Sequence, residues 1–235
     1  MSRKRFTFMQ EWDSSFFNKK IGKIIVDGLS GEMESFVSDW IKEGYELVYV
    51  FSQQILDEEI CKKYGGILVD SKILYECEVP LVAQNIPHLE RYSGEPDVLF
   101  TLAYQSGSFS RFKCDTHFSE NDFQRLYAEW VIKSLSGEMA SVIFVSFKEG
   151  RPVGFVTVKK EDKHLARIGL IATDKDYRKC GIGKSLLTTV FHYCRQENIT
   201  FLEVATQDKN DIAKKFYEKQ GMRIKEITNI YHFWL

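Results

Sequence analysis

The sequence predicts an α/β protein, a sheet flanked by helices, in which a small N-terminal α/β half (residues 1–96) precedes a larger domain (residues 97–235). Three observations lead there. Runs rich in β-branched and aromatic residues alternate with runs of helical periodicity along all 235 residues. Pro80, Pro87 and Pro96 fall within seventeen residues and only Pro152 lies elsewhere, which marks an extended linker between the two parts. A glycine turn, Arg178-Lys179-Cys180-Gly181-Ile182-Gly183, stands between an apolar strand and an amphipathic helix.

The elements follow in order. Residues 23–26 and 45–51 read as strands. Between them Met33, Phe36, Val37, Trp40 and Ile41 recur at helical spacing, giving an amphipathic helix that ends before Gly44. Residues 56–64 form a short helix stopped by Gly65-Gly66, and 67–69 and 73–79 a further pair of strands. After the linker, 98–104 start a helix that the Gly/Ser-rich stretch 105–110 breaks. Ser119 is a good N-cap, with Glu120 and Asp122 in the first turn of a helix reaching Gly137. Residues 141–147 and 153–159 make an antiparallel pair around the turn at 149–152, and 165–173 a further strand. Ile182, Leu186, Val190 and Cys194 share one stripe of the helix after the glycine turn. Residues 201–206 are a strand, 210–220 a helix, and 222–234 one or two closing strands.

Composition narrows the function classes. Hydrophobic residues at 44% and charged residues at 28% are ordinary for a globular protein, and a net charge of −1 speaks against a nucleic-acid binder. The balance is uneven: residues 1–96 carry 11 Lys+Arg against 16 Asp+Glu, a net of −5, and residues 97–235 carry 21 against 17, a net of +4. Five cysteines without CxxC spacing give neither a disulfide framework nor a zinc site. The basic start lacks the apolar stretch of a secretory signal, and no run is long enough to span a membrane, so the expectation is a cytoplasmic protein with reduced thiols and no membrane partner.

Chemistry concentrates in the glycine turn. Gly181 and Gly183 let a ligand approach the backbone, and the first N–H groups of the following helix are unpaired and positive, a cradle for a pyrophosphate. Arg178, Lys179 and Lys184 add charge for the same anion. With Ile171-Ala-Thr-Asp-Lys-Asp-Tyr-Arg-Lys-Cys-Gly-Ile-Gly183, and then Asn210, Tyr217 and Gly221 at the spacing N-x6-Y-x3-G, the chain over residues 98–235 resembles the GNAT superfamily of acetyl-CoA-dependent N-acetyltransferases. A wider likeness includes WDSSFF (12–17), SRF (110–112), LYAEW (126–130), RIGLI (167–171) and EVATQ (203–207). It is similar to members of that superfamily that acetylate a nucleotide-linked 4-amino-6-deoxy sugar.

The resemblance implies a mixed sheet whose two parallel strands splay, with acetyl-CoA as co-substrate and no metal. It puts the main chain of Ile171 and Thr173 on the thioester carbonyl, and Arg178, Lys179, Gly181, Ile182, Gly183 and Lys184 around the pyrophosphate. Asn210 becomes a hydrogen-bond partner of CoA, compatible with capping its helix, and Tyr217 the proton donor to the leaving thiolate. For Arg111 two readings stand side by side: a bidentate partner of a nucleotide diphosphate, or a surface arginine on a loop. The implied acceptor is a small-molecule amine, a nucleotide sugar feeding surface-polysaccharide assembly, and the implied assembly a homodimer. Another primary amine (a peptide N-terminus, a lysine, a polyamine or an antibiotic) and a CoA-binding module without turnover remain as alternatives.

Overall fold

Phe8–Met9 (β1) pairs antiparallel with Ile21–Val26 (β2), and β2 runs parallel to Leu47–Ser52 (β3). Parallel neighbours need a crossover, here the helix Met33–Lys42, while the helix Glu11–Phe17 (α1) connects β1 to β2. The crossover helix, α2, buries Met33, Val37 and Trp40. Glu58–Lys63 (α3) is capped by Asp57, whose carboxylate accepts the Ile60 N–H at 3.0 Å. The computed structural model, which describes residues 7–26, 33–81, 89 and 91–235, divides the chain into two units. These elements belong to the first, Met1–Ile73 with Gln207–Lys209 and Glu226–Leu235. Residues 1–6, at the basic start, and most of the expected linker, 82–88 and 90 with Pro87 among them, lie outside the described residues.

The expected pair of strands at 67–69 and 73–79 is one strand, Gly66–Glu78 (β4). Polar Asp70-Ser71-Lys72 reads as a break, but Ser71 is bonded where it stands. Its hydroxyl donates to Asn229 Oδ1 at 2.7 Å and its carbonyl accepts the Asp208 N–H at 2.9 Å. The first unit's core gathers Ile24, Val26, Val37, Trp40, Val48, Val50, Tyr231 and Phe233, with Trp40 and Phe233 rings 5.7 Å apart. Tyr231 and Phe233 come from the far end of the sequence, in a strand that pairs antiparallel with β3 from Leu47↔Trp234 to Ser52↔Asn229.

The second unit, Leu74–Thr206 with Asn210–Lys225, begins its helices at Asp97–Ser106 (α4). A four-residue helix that sequence patterning does not announce, Arg111–Cys114 (α5), follows the Gly/Ser-rich stretch, capped by Ser110. Glu120–Leu135 (α6) opens on a reciprocal cap: the Ser119 hydroxyl accepts the Asp122 N–H at 3.1 Å and the Asp122 carboxylate accepts the Ser119 N–H at 3.0 Å. Val142–Lys148 (β5), Arg151–Lys160 (β6) and Leu165–Thr173 (β7) form antiparallel neighbours in turn. Ile182–Gln196 (α7) leads to Phe201–Gln207 (β8), which lies parallel to β7, and then to Asp211–Lys219 (α8). The last strand, Arg223–Trp234 (β9), is single and runs from this unit into the first.

Two contacts fix the sheet under α7 and across its strands. Gly154 of β6 has no room for a side chain, because a Cβ there would lie 2.6 Å from Ile182 Cγ2 and 3.2 Å from Leu186 Cδ1. The helix therefore rests directly on the strand. Across the strands, Glu203 is buried and receives Arg167 Nη2 at 2.6 Å and Lys225 Nζ at 2.7 Å, while Lys225 also reaches Glu76 at 3.0 Å. Burial alone would raise the Glu203 carboxyl, but the hydrogen bonds from Lys225 and Arg167 override it and hold it below the ordinary 4.5.

A depressed carboxyl contributes stability above its ordinary value, and the contribution is lost as pH falls through the lowered one. Glu203→Gln is therefore expected to cost about 1–2 kcal/mol at neutral pH and to flatten the acid limb of stability below about pH 4.5. Urea unfolding at several pH values measures both.

Candidate active site

The site starts from a ladder that stops early. β7 and β8 pair from Leu165↔Phe201 to Ile168↔Val204, although β7 continues to Thr173 and β8 to Gln207. Beyond this point β7 is not paired with β8. The direction of each amide is readable: the Asp174 N–H donates to Val153 O of β6 at 2.9 Å, and the Leu170 N–H also points to β6, donating to the Thr157 hydroxyl at 2.8 Å. Successive residues of an extended strand alternate, so the Ile171 and Thr173 N–H groups point away from β6, towards β8, where the ladder has ended. Two main-chain donors on the side where the ladder has ended are what stabilisation of an oxyanion requires.

The loop after β7 is shaped for an anion. Asp174 caps a single 3-10 turn, Lys175–Tyr177, and Lys179 and Gly181 both take left-handed backbone, at φ 62° and 82°. Nothing lies within 4 Å of the place a Gly181 Cβ would occupy, so backbone conformation and not space selects glycine there. At Gly183 a Cβ would meet the Phe216 ring at 3.5 Å and Thr173 Oγ1 at 3.7 Å, ordinary contact distances. The conformational demand falls on Gly181 alone of the two. Ile182, the first residue of α7, is buried, while Arg178, Lys179 and Lys184 are exposed around the helix's open N–H groups. These residues fit a pyrophosphate, and the end of β7 not paired with β8, at Ile171 and Thr173, fits a thioester carbonyl.

Thr173, Gly183 and Phe216 meet, which brings α8 to the start of α7. Tyr217, the next residue, is 3% exposed, its ring 5.5 Å from that of Tyr75, whose hydroxyl donates to Glu218 at 3.0 Å. Burial, and secondarily Tyr75, pushes the Tyr217 phenol well above its ordinary range, so it is a neutral hydroxyl at physiological pH. Asn210 caps α8, its side chain accepting the Ala213 N–H at 3.2 Å. Arg111 begins α5, half-buried, with its guanidinium over the Phe112 ring, 4.5 Å from its centre.

Three residues of the site escape sequence reasoning. Asp174 is buried at the foot of the cationic loop, where the Asp176 N–H and the Arg151 guanidinium at 3.0 Å hold its carboxyl below the ordinary range. Gln105, in the last turn of α4, accepts the Lys175 N–H at 3.0 Å and ties that helix to the loop. Thr157 supports Leu170 from β6. Polar residues in a turn, a Gly/Ser-rich stretch and an apolar strand carry no signal of their partners. Among the described residues no group of three or more His, Cys, Asp or Glu is placed to hold a metal, and no helix is long and apolar enough to cross a membrane.

Residues 107–222 match the Acetyltransferase (GNAT) family. This segment is a GNAT-family acetyltransferase domain. It contains α5 to α8, the truncated ladder and the anion loop. The chain is 29% identical over 111 residues to an uncharacterized N-acetyltransferase of Methanocaldococcus jannaschii (45% of this chain, 49% of that protein). It is 28% identical over 139 residues to streptothricin acetyltransferase A of Bacillus subtilis (58% and 79%). To the dTDP-fucosamine acetyltransferase of Escherichia coli it is 27% identical over 135 residues (57% and 55%). Against the first and the last of these, the match spans about half of the relative's length. Among solved structures, a conserved protein of unknown function from Staphylococcus epidermidis superposes with a TM-score of 0.65 at 14% identity (91% of this chain, 85% of that one). A GCN5-related N-acetyltransferase from Sphaerobacter thermophilus gives 0.56 at 13% (90% and 72%). The chain thus shares its fold with proteins of very different sequence.

Since strain and not space selects Gly181, Gly181→Ala is expected to destabilise the GNAT segment by about 1 kcal/mol, read as a lowered urea midpoint with an unchanged slope.

Proposed function

We propose that the protein transfers an acetyl group from acetyl-CoA to a primary amine, with residues 97–235 carrying the chemistry. The observation that carries this reading is the early end of the β7–β8 ladder beside the Ile171 and Thr173 amides, next to the open N-terminus of α7. Acetyl-CoA, when bound, supplies an activated carbonyl and a thiolate leaving group. The chain's own residues do the rest. Lys184, Arg178 and Lys179, with the first N–H groups from Ile182 and Gly183, hold the diphosphate. The Ile171 and Thr173 amides stabilise negative charge as it develops on the carbonyl oxygen. Asn210 presents its side-chain amide nitrogen at the head of α8 to the pantetheine arm, while its Oδ1 caps the helix. As the N–C bond forms and the C–S bond breaks, Tyr217, kept protonated by burial, donates its proton to the departing sulfur; the nitrogen releases one proton to solvent, and the phenolate takes one back. Holding both substrates in one place provides most of the acceleration.

For the acceptor we propose a nucleotide-linked amino-deoxy sugar, in line with the wider sequence likeness and with the similarity to the dTDP-fucosamine acetyltransferase. Arg111, stacked on Phe112, offers a planar cation for that diphosphate. The similarity to streptothricin acetyltransferase A favours a second reading, in which the acceptor is an antibiotic amine.

A thiol-release assay across amine classes decides between them. Turnover confined to TDP-4-amino-6-deoxy sugars supports the sugar reading, and turnover on streptothricin with silence on every nucleotide sugar replaces it. Gly181→Trp is expected to abolish acetyl-CoA binding by calorimetry; unchanged binding removes the loop from the site. Tyr217→Phe is expected to lower kcat about 10²-fold or more with acetyl-CoA affinity nearly intact. Because burial raises the phenol above its ordinary 10.0, its ionisation adds no alkaline fall in kcat below about pH 10.

A further inference from the structure

β7 carries one residue too many for its partner. On one side of the irregularity Val156 faces Ile171, on the other Val158 faces Ile168, so Thr157 alone stands opposite Gly169 and Leu170. Two counts of the alternation meet there. Counting back from Asp174, whose N–H reaches Val153 O, Ala172 and Leu170 face β6. Counting forward from Leu165, whose carbonyl accepts the Glu161 N–H from the end of the β6–β7 turn, Arg167 and Gly169 face β6. Consecutive residues 169 and 170 thus point the same way, and only the extra residue makes this so. Without it, Leu170 and Ala172 would face β8, and Ile171 and Thr173 would spend their N–H groups on β6.

A bulge leaves one amide without a carbonyl opposite it, and a buried orphan N–H costs about 1–3 kcal/mol. Here a side chain supplies the acceptor. Thr157 is 2% exposed, its hydroxyl oxygen accepts the Leu170 N–H at 2.8 Å, and the same atom lies 2.9 Å from where a Cβ on Gly169 would be. One hydroxyl thereby satisfies the second residue of the bulge and fills the space that the first leaves by being glycine.

We propose that Thr157 is a positioning residue for acetyl transfer, its hydroxyl locking the bulge that turns the Ile171 and Thr173 amides into the open end of the ladder. The claim rests on the acetyltransferase reading above, but it has a readout of its own in the Leu170 amide. Thr157→Val keeps the shape and removes the acceptor; Thr157→Ser keeps the acceptor. With acetyl-CoA and a TDP-4-amino-6-deoxyhexose, Thr157→Val is expected to lower kcat about 10–100-fold with acetyl-CoA Kd changed less than about threefold, and Thr157→Ser to stay within about threefold of the parent. By NMR the Leu170 amide of Thr157→Val exchanges with solvent at least about tenfold faster, while that of Thr157→Ser does not.

A folded Thr157→Val at the parental rate, a Thr157→Ser as impaired as the valine variant, or a Leu170 amide that exchanges no faster in Thr157→Val overturns the proposal. If Thr157→Val does not fold, Gly169→Ala decides by the same readouts. Its Cβ displaces the hydroxyl, and parental kcat with parental Leu170 exchange is the overturning result. A parent protein silent on this amine counts against the sugar reading alone, and Leu170 exchange then judges the role of Thr157.

Discussion

The arrangement around the site depends on one constraint: main-chain donors must be withheld from the sheet that surrounds them. A strand in mid-sheet gives its amides to its neighbours, and buried donors left unmade are costly. β7 meets this by changing partners along its length. It is laddered to β8 over four residues, then continues beside β6 alone, with an inserted residue at the changeover. The close seat of α7 on Gly154, opposite Thr173 in the β6–β7 register, keeps this end of β7 against its remaining partner.

Electrostatics at the site sets cations over a buried anion. Arg178, Lys179 and Lys184 stand exposed around the start of α7, while Asp174 lies buried in the same loop. That carboxylate would repel a diphosphate, but its charge is engaged by the Asp176 amide and the Arg151 guanidinium. It serves as a cap that shapes the turn and leaves the outward field positive. Gln105 extends the same loop's bonding to α4, which packs against β6 and β7.

Local patterns made much of this readable beforehand. β7 occupies the residues its apolar run delimits, 165–173, and α6 begins at the serine whose cap chemistry announces it. The glycine turn at 178–183 was visible because glycine spacing between a strand and a helix encodes backbone conformation directly. What stayed hidden depends on partners distant in sequence. The bulge exists only in the register that sets Thr157 against Gly169 and Leu170. Asp70-Ser71-Lys72 look like a turn until Asn229 and Asp208 are placed beside Ser71. α5, four residues long, has too few turns to show a period.

The pairing of β3 with the last residues of β9 has a consequence for how the protein comes into being. Leu47–Ser52 leave the ribosome well before Asn229–Trp234, the strand segment that pairs along their edge. Until then the nascent first unit lacks Tyr231 and Phe233, against which Trp40 and Val50 are buried. Vectorial synthesis therefore delivers most of the second unit before the strand segment that completes the first, so the part begun first is finished second. An apolar strand edge is therefore bare while the intervening residues are made, a stretch in which it is open to pairing with other strands.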